Sequence, residues 1–192
     1  TDNCGSVNIV SVSQTVFDCM DIGPNTVTLT VNDGNGNQNS CEAIVTIEDN
    51  TAPVATCQDI SRSLDANGMI SISPNDLFVA ASDNCGGAVP LSVSQGNFDC
   101  GNLGQNLVTL TVSDLSGNTS TCDGTVTIID SSLPFAVCQD IEVELDVYGE
   151  AMISAALLDG GSNDNCGFDL GITLSQFACE DVGENTVTLT VT

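Results

Sequence analysis

The sequence predicts an all-β chain of small, disulfide-stapled β-sandwich repeats in tandem, with a period of 81. Three observations predict it. The tetrapeptide Asp-Asn-Cys-Gly occurs at Asp2-Asn3-Cys4-Gly5, Asp83-Asn84-Cys85-Gly86 and Asp164-Asn165-Cys166-Gly167, at the same interval each time, and self-similarity at a fixed period marks a repeat architecture. Apolar residues alternate with polar ones in short runs, the period of a strand with one buried face. Gly, Asn, Asp and Pro punctuate these runs, and no amphipathic helix of useful length interrupts them.

The middle copy, 51–131, gives the elements in order. It opens with Pro53-Val54-Ala55-Thr56-Cys57-Gln58-Asp59-Ile60, matched by Pro134 to Ile141. Ile60, Arg62 and Leu64 then alternate as a strand, against Ile141, Val143 and Leu145. Arg62 is expected near a strand edge, with its stem packed and its head in water. Asp65-Ala66-Asn67-Gly68 carries the Asn-Gly hairpin signal. A second strand turns Ile70 and Ile72 inward, and Ser73-Pro74-Asn75-Asp76 suggests a cap and one helical turn. After the Asp-Asn-Cys-Gly loop, a third strand turns Leu91 and Val93 inward, matched by Val10 and Val12 and by Ile172 and Leu174. Phe98, with Phe17 and Phe177, supplies one aromatic core anchor per copy. The strongest strand carries Val108, Leu110 and Val112 on one face and Thr on the other, matched by Val27, Leu29, Val31 and by Val187, Leu189, Val191. The loop Asp114-Leu115-Ser116-Gly117-Asn118 leads to a last strand with Val126 and Ile128 facing in, as Asp33 to Asn37 leads to Val45 and Ile47. Short strands of this kind in about 80 residues indicate an immunoglobulin-like β-sandwich. The expected division is 1–50 (the C-terminal part of a repeat), 51–131 (a complete repeat) and 132–192 (a repeat lacking its last strand). The chain is accordingly expected to be a window on a longer, exported array.

Charge excludes several functions. The 192 residues carry 26 acidic side chains against one cation, Arg62, with no Lys and no His, for a formal charge of -25. Nucleic-acid binding needs phosphate neutralisation by Lys and Arg, and attraction to anionic membranes needs the same groups, so both are excluded. No apolar run reaches the ~20 residues that span a bilayer, so membrane insertion is not expected. Without His or Lys, nucleophile-base pairs of the Ser-His or Cys-His kind cannot be built. The carboxylates recur with the period and sit in turns, which suits a scaffold better than paired acid-base catalysis. The expectation is a protein that is not an enzyme.

Ten cysteines, four per complete repeat, point to an oxidising compartment. Zinc is disfavoured, because there is no His and no Cys-x-x-Cys pair. Four cysteines allow three connectivities. In a sandwich the first and last strands can run parallel as neighbours, and Cys57 and Cys122 both lie near their starts, which favours that pair. Cys85 is then expected to bond Cys100 across about 15 residues, a link worth on the order of 3 kcal/mol. By the same pattern Cys4 pairs with Cys19 and Cys166 with Cys179. Cys41 and Cys138 are left to partners outside the segment.

So much unbalanced negative charge favours bound cations. Calcium takes several oxygen ligands, mostly carboxylates and carbonyls. In an immunoglobulin-like sandwich, the chain entry, the loop after the second strand and the loop before the last strand share one end. That would gather Glu48 and Asp49 of the linker, Asp83 of the motif loop, and Asp114 with Asn118. At the next junction it would gather Asp130 and Asp164. These residues are candidate ligands for structural Ca2+; the competing reading is that Asp and Asn simply form turns there. Asn118-Thr119-Ser120 also matches the N-glycosylation pattern.

The combination of Cys-Gln-Asp-Ile, Asp-Asn-Cys-Gly, Phe-Asp-Cys, Val-Gly-x-Asn-Thr-Val-Thr-Leu-Thr-Val and Asp-x-x-Gly-Asn-x-x-x-Cys, closed by Val-Thr-Ile-x-Asp before Pro, resembles hyalin-repeat-like modules of immunoglobulin type. Such modules occur in large surface adhesins and filaments of Bacteroidota exported by type IX secretion. The resemblance implies an extracellular or cell-surface location and a structural or adhesive task. The linker also resembles the calcium-binding junctions of cadherins, with Asp130-Ser131-Ser132 a poorer match than Glu48-Asp49-Asn50. The expected partners are neighbouring repeats of the same chain, with lateral self-association and an adhesive ligand also open. Two alternatives stand beside the filament or adhesin stalk. One is a ligand- or carbohydrate-binding or spacer module of a secreted protein, disfavoured by the absence of Trp and by Tyr148 being the only Tyr. The other is a strand-exchanging filament subunit.

Overall fold

The computed structural model describes residues 5–192. It is nearly all β, and the helical 9% is confined to single turns. In chain order the elements are β1 (Asn8–Val12), β2 (Gly23–Asn32), β3 (Gln38–Ile47), β4 (Val54–Cys57), β5 (Ile60–Ser63), β6 (Met69–Ser71), α1 (Pro74–Leu77), β7 (Phe78–Ser82), β8 (Val89–Val93) and β9 (Asn97–Asp99). They continue with β10 (Gly104–Ser113), β11 (Thr119–Ile129), β12 (Glu150–Met152), α2 (Ala155–Leu158), β13 (Leu170–Ile172), β14 (Gln176–Ala178) and β15 (Leu189–Val191). Three 3-10 turns, Cys19–Asp21, Cys100–Asn102 and Cys179–Asp181, each begin at a cysteine.

One compact unit takes in the chain up to Cys57 with Phe78–Ser92 and Leu110–Cys122. Its three-stranded sheet runs β1-β2-β3, with β2 and β3 antiparallel in unbroken register from Gly23↔Ile47 to Asn32↔Gln38. β4 pairs antiparallel with β7 from Val54↔Ser82, with an irregularity at Cys57. Leu110 and Val112 are fully buried here. The expectation that Val10 and Val12 face a core is corrected. They are 47% and 38% exposed on β1, an edge strand of the three-stranded sheet.

The second unit comprises Gln58–Leu77, Val93–Thr109 and Asp123–Thr192. β5 runs parallel to β11, in register from Val126↔Ile60 to Ile129↔Ser63. The expected parallel neighbour of the last strand is thus β5, which follows Cys57, and not the strand that ends at Cys57, which pairs antiparallel with β7. β6 pairs antiparallel with β9 through Ile70↔Phe98, β12 with β14 through Ala151↔Phe177, and β13 with β15 through Gly171↔Thr190. Phe98, Leu77, Val108, Val126 and Ile128 form a core in which none is more than 2% exposed. The alternation of β10 accounts for its share, because the Thr residues take the other face, where Thr109 Oγ1 donates to Asp123 Oδ1 at 2.7 Å. The strand order β5-β11-β10-β8 leaves β5 and β8 at sheet edges. Arg62 therefore lies on an edge strand, but its head is not free in water. It pairs with Asp76 at 2.7 Å. Leu91, expected inward, belongs to the first unit and is 60% exposed on β8, while Val93 in the second unit is half-buried.

Repeated side chains hold the turns. Gln58 Nε2 donates to Asp76 O at 2.9 Å and Gln139 Nε2 to Leu157 O at 3.0 Å, tying the Cys-Gln-Asp segment to the helical turn in both copies. Asn106 Nδ2 donates to Asn102 O at 2.7 Å and Gly104 O at 3.2 Å, closing the 3-10 turn. Asn25 and Asn185 make the matching bonds to the carbonyls of Asp21 and Gly23 and of Asp181 and Gly183. These amides satisfy carbonyls that so short a turn leaves unpaired.

Candidate cation site at the Asp49 linker

Three segments of the first unit converge on one point. Asp49 closes the run after β3, Asp83 opens the loop after β7, and Asp114 opens the loop after β10. One carboxylate oxygen from each lies within 4.8 Å of the other two. Asp49 and Asp114 are 9% and 7% exposed, which removes much of the water that would screen their repulsion.

Hydrogen bonds fix the three side chains. Asp49 Oδ1 accepts from Thr51 N at 3.1 Å and from Asn84 Nδ2 at 3.2 Å. Asp49 O accepts from Asn118 Nδ2 at 2.9 Å. That amide also donates to Asp114 Oδ2 at 2.9 Å, while Asn118 N donates to Asp114 Oδ1 at 2.8 Å. Burial raises the Asp114 pKa, but the donors from Asn118, Gly117 and Ser116 outweigh it and hold the carboxyl below its ordinary value. Asp83 Oδ2 accepts from Cys85 N at 2.9 Å. Asp83 Oδ1 is buried with no hydrogen-bond partner.

An orphaned buried carboxylate oxygen, in a cluster with no basic residue, is the test of fit. The only cation in the sequence, Arg62, is bound to Asp76. The donor set is all oxygen. Oxygens held about 2.4 Å from a common calcium can be no more than about 4.8 Å apart, so these three can share one ion. Asp49, Asp83 and Asp114 would be the carboxylate ligands, and Asn118 shapes the site by holding both Asp49 and Asp114.

The other sequence candidates are not in this cluster. Glu48 is exposed and accepts from Asn50 Nδ2 at 3.4 Å. Asp130 accepts from Ser132 N at 3.0 Å. Asp164 accepts from Cys166 N at 3.0 Å through Oδ2, and its Oδ1 is buried without a partner, as in Asp83. Among the described residues no third carboxylate joins Asp130 and Asp164.

Among the described residues three disulfides accompany these loops: Cys19–Cys85, Cys57–Cys122 and Cys100–Cys166. Cys57–Cys122 joins the segments that the parallel strands bring together. The expected Cys85–Cys100 bond is corrected. Cys100 lies just before the start of β10, whereas Cys85's loop lies at its far end, where Gly87 faces the Leu115 side chain. About ten extended residues separate those ends by about 30 Å, and a disulfide needs Cα atoms within about 7 Å. Cys166–Cys179 is corrected likewise, since Cys166 is bonded to Cys100 and Cys179 is free and exposed. Cys4 lies outside the described residues, and Cys19, its expected partner, is bonded to Cys85. Cys41 and Cys138 are free and exposed. Periodicity alone does not choose between the pairings, because Cys4–Cys19 and Cys85–Cys100 share a separation just as Cys19–Cys85 and Cys100–Cys166 do.

No family model matches the chain. It is 29% identical over 216 aligned positions to hyalin of Strongylocentrotus purpuratus, covering 100% of this chain and 18% of that protein. It is 30% identical over 146 positions to hyalin of Lytechinus variegatus, covering 72% of this chain and 27% of that protein. The chain is related to hyalin. It spans less than a third of either relative's length. Three disulfides fit the oxidising environment of a secreted protein. No helix among the described residues is long and apolar enough to cross a membrane.

Proposed function

We propose that this chain is a non-catalytic structural segment of an extracellular, adhesion-type protein, a filament or surface stalk. In this reading immunoglobulin-like sandwiches with a period of 81 follow one another in series, divided as 1–50, 51–131 and 132–192. The observation that carries the reading is the covalent tie between consecutive copies of one motif region, Cys19 to Cys85 and Cys100 to Cys166. Such ties pass tension through sulfur rather than through the hydrogen bonds of the sheets. Calcium at Asp49, Asp83 and Asp114 would neutralise the cluster and stiffen the linker it belongs to. Placement among large Bacteroidota surface proteins exported by type IX secretion belongs to the same proposal and rests on the motif resemblance. So do neighbouring repeats as partners. The test is extensibility. Pulled from its ends, the oxidised chain should stay short and the reduced chain should lengthen. Equal extension in the two states would overturn the structural role.

A further inference from the structure

The second unit contains the same small cradle twice, once filled. In the filled one, β6 pairs with β9, and Cys100 opens the turn after β9. Gly68, with φ +71°, ends the Asp65 turn, its N donating to Asp65 O at 3.0 Å and its carbonyl oxygen 3.8 Å from Cys100 Sγ. The occupant is the Asp-Asn-Cys-Gly loop. Asn165 Nδ2 donates to Asp65 O at 3.0 Å and Cys166 bonds Cys100. A Cβ on Gly68 would sit 2.8 Å from Asn165 O, so the loop lies directly against the glycine.

The second cradle repeats these features. β12 pairs with β14, and Cys179 opens the turn after β14. Gly149, with φ +79°, donates to Asp146 O at 3.0 Å, and its carbonyl lies 3.8 Å from Cys179 Sγ. Asp146 Oδ1 accepts from Tyr148 N and Glu150 N as Asp65 Oδ1 accepts from Asn67 N and Met69 N. A Cβ on Gly149 would meet only Cys179 Sγ, so no loop lies against this glycine. The residue that follows each 3-10 turn reports the same difference. Ile22 and Leu103, beside bonded cysteines, are 42% and 47% exposed, while Val182 beside Cys179 is 77% exposed.

We propose that Asp146, Gly149 and Cys179 form a docking cradle for an Asp-Asn-Cys-Gly loop carried by another repeat, sealed by a disulfide from Cys179. The loop's asparagine amide donates to the Asp146 carbonyl and its cysteine bonds Cys179. Forming that bond from two thiols releases two protons and two electrons, which a small disulfide such as oxidised glutathione takes up as it leaves as two thiols. The inference rests on the structural reading above and names that reading's partner. Cys41 and Cys138 are equally free and exposed, but they correspond to Cys122 and Cys57, which bond each other. They serve as internal controls.

The experiment offers the intact oxidised chain a synthetic peptide, Ser-Asn-Asp-Asn-Cys-Gly-Phe-Asp, as its mixed disulfide with glutathione. Exchange runs to equilibrium, and the modified cysteines are mapped by mass spectrometry. Capture at Cys179 should exceed that at Cys41 and Cys138 by about tenfold, and the peptide with Asn165→Ala should lose about fivefold, the worth of one neutral hydrogen bond. Equal capture at the three cysteines, or equal capture of the Asn165→Ala peptide, overturns the proposal. A chain that extends equally when oxidised and reduced would defeat the structural role while leaving selective capture at Cys179 intact, so the two failures are distinguishable.

Discussion

Pulling the chain from its two ends, with and without reductant, reads the covalent path directly. With the three bonds in place, tension enters at the first residues and crosses from Cys19 to Cys85. It follows the backbone to Cys100, crosses to Cys166 and leaves by the last residues. Cys57–Cys122 closes a loop that overlaps both others and adds nothing to the shortest path. Only about 60 residues can then be drawn out, which at ~3.5 Å per residue gives roughly 210 Å. With every bond reduced, all 192 residues extend, to about 670 Å. The pairing expected from sequence, Cys4–Cys19, Cys85–Cys100 and Cys166–Cys179 beside Cys57–Cys122, leaves about 100 residues free, or roughly 350 Å.

The assay is single-molecule force extension between handle proteins fused to the two ends, recorded oxidised and then in reductant. A final contour length of roughly 210 Å that triples on reduction is the expected result. A value of roughly 350 Å would replace the connectivity with the local one. Full extension before reduction would show that no disulfide carries the tension. The bonds also matter at equilibrium, because each spans a sequence separation of 65 or 66 and contributes about 4 kcal/mol by loop-closure entropy.

Calcium removal should lower the melting temperature. An ion at 100 times its Kd stabilises by about 2.7 kcal/mol, on the order of 5–10 °C for a chain of this size, and Asp83→Asn should abolish the calcium dependence; calorimetry in calcium and in chelator would show it, and identical melts would remove the cation from the site. The Asp76 carboxyl is held below its ordinary value by the Ser73 backbone N–H first, then the Ser73 hydroxyl and Arg62. Its contribution is therefore present above the unfolded pKa near ~4 and is lost as pH falls through the lower folded value. Asp76→Asn should cost about 1 kcal/mol at neutral pH and nothing below the folded pKa, measured by urea denaturation across pH. Gly124→Ala would place its Cβ 2.6 Å from Gln58 O and 3.0 Å from the Leu77 side chain. It should destabilise by about 1–3 kcal/mol, and an unchanged melting temperature would contradict that packing.

What the sequence revealed, it revealed through periodicity. The alternation in Val108, Leu110 and Val112 marked all three as buried, and each is 0% exposed. The parallel approach of β5 and the last strand brought Cys57 to Cys122 for a reason that strand direction alone supplies. The approach of Asp49, Asp83 and Asp114 was legible only as an expectation about which loops share one end, and the three carboxylates do converge. Contacts made by single atoms were not legible. Asn25, Asn106 and Asn185 hold matching positions in the three copies, yet nothing in their spacing says that their amides close 3-10 turns. Leu91 alternates correctly and still faces outward, because exposure at a sheet edge depends on what lies beyond it.

The expected disulfides fail at Asp-Asn-Cys-Gly because its first three residues reach into the preceding copy. Asp83 joins carboxylates from the linker and from the loop after β10, and Asn84 donates to the linker residue Asp49. Cys85 bonds Cys19, which opens the 3-10 turn at a sequence separation of 66, and Gly86 adopts φ +72°, a conformation that favours glycine. In the next copy Asn165 reaches a different acceptor, Asp65 O, while Cys166 keeps the same kind of partner, Cys100. The sulfur contact recurs in both copies at the same separation of 66, whereas the position matching Asp65 one period earlier lies outside the sequence. A loop closing only its own copy would need neither an acidic residue beside the Asp49 carboxylate nor a cysteine paired outside its copy.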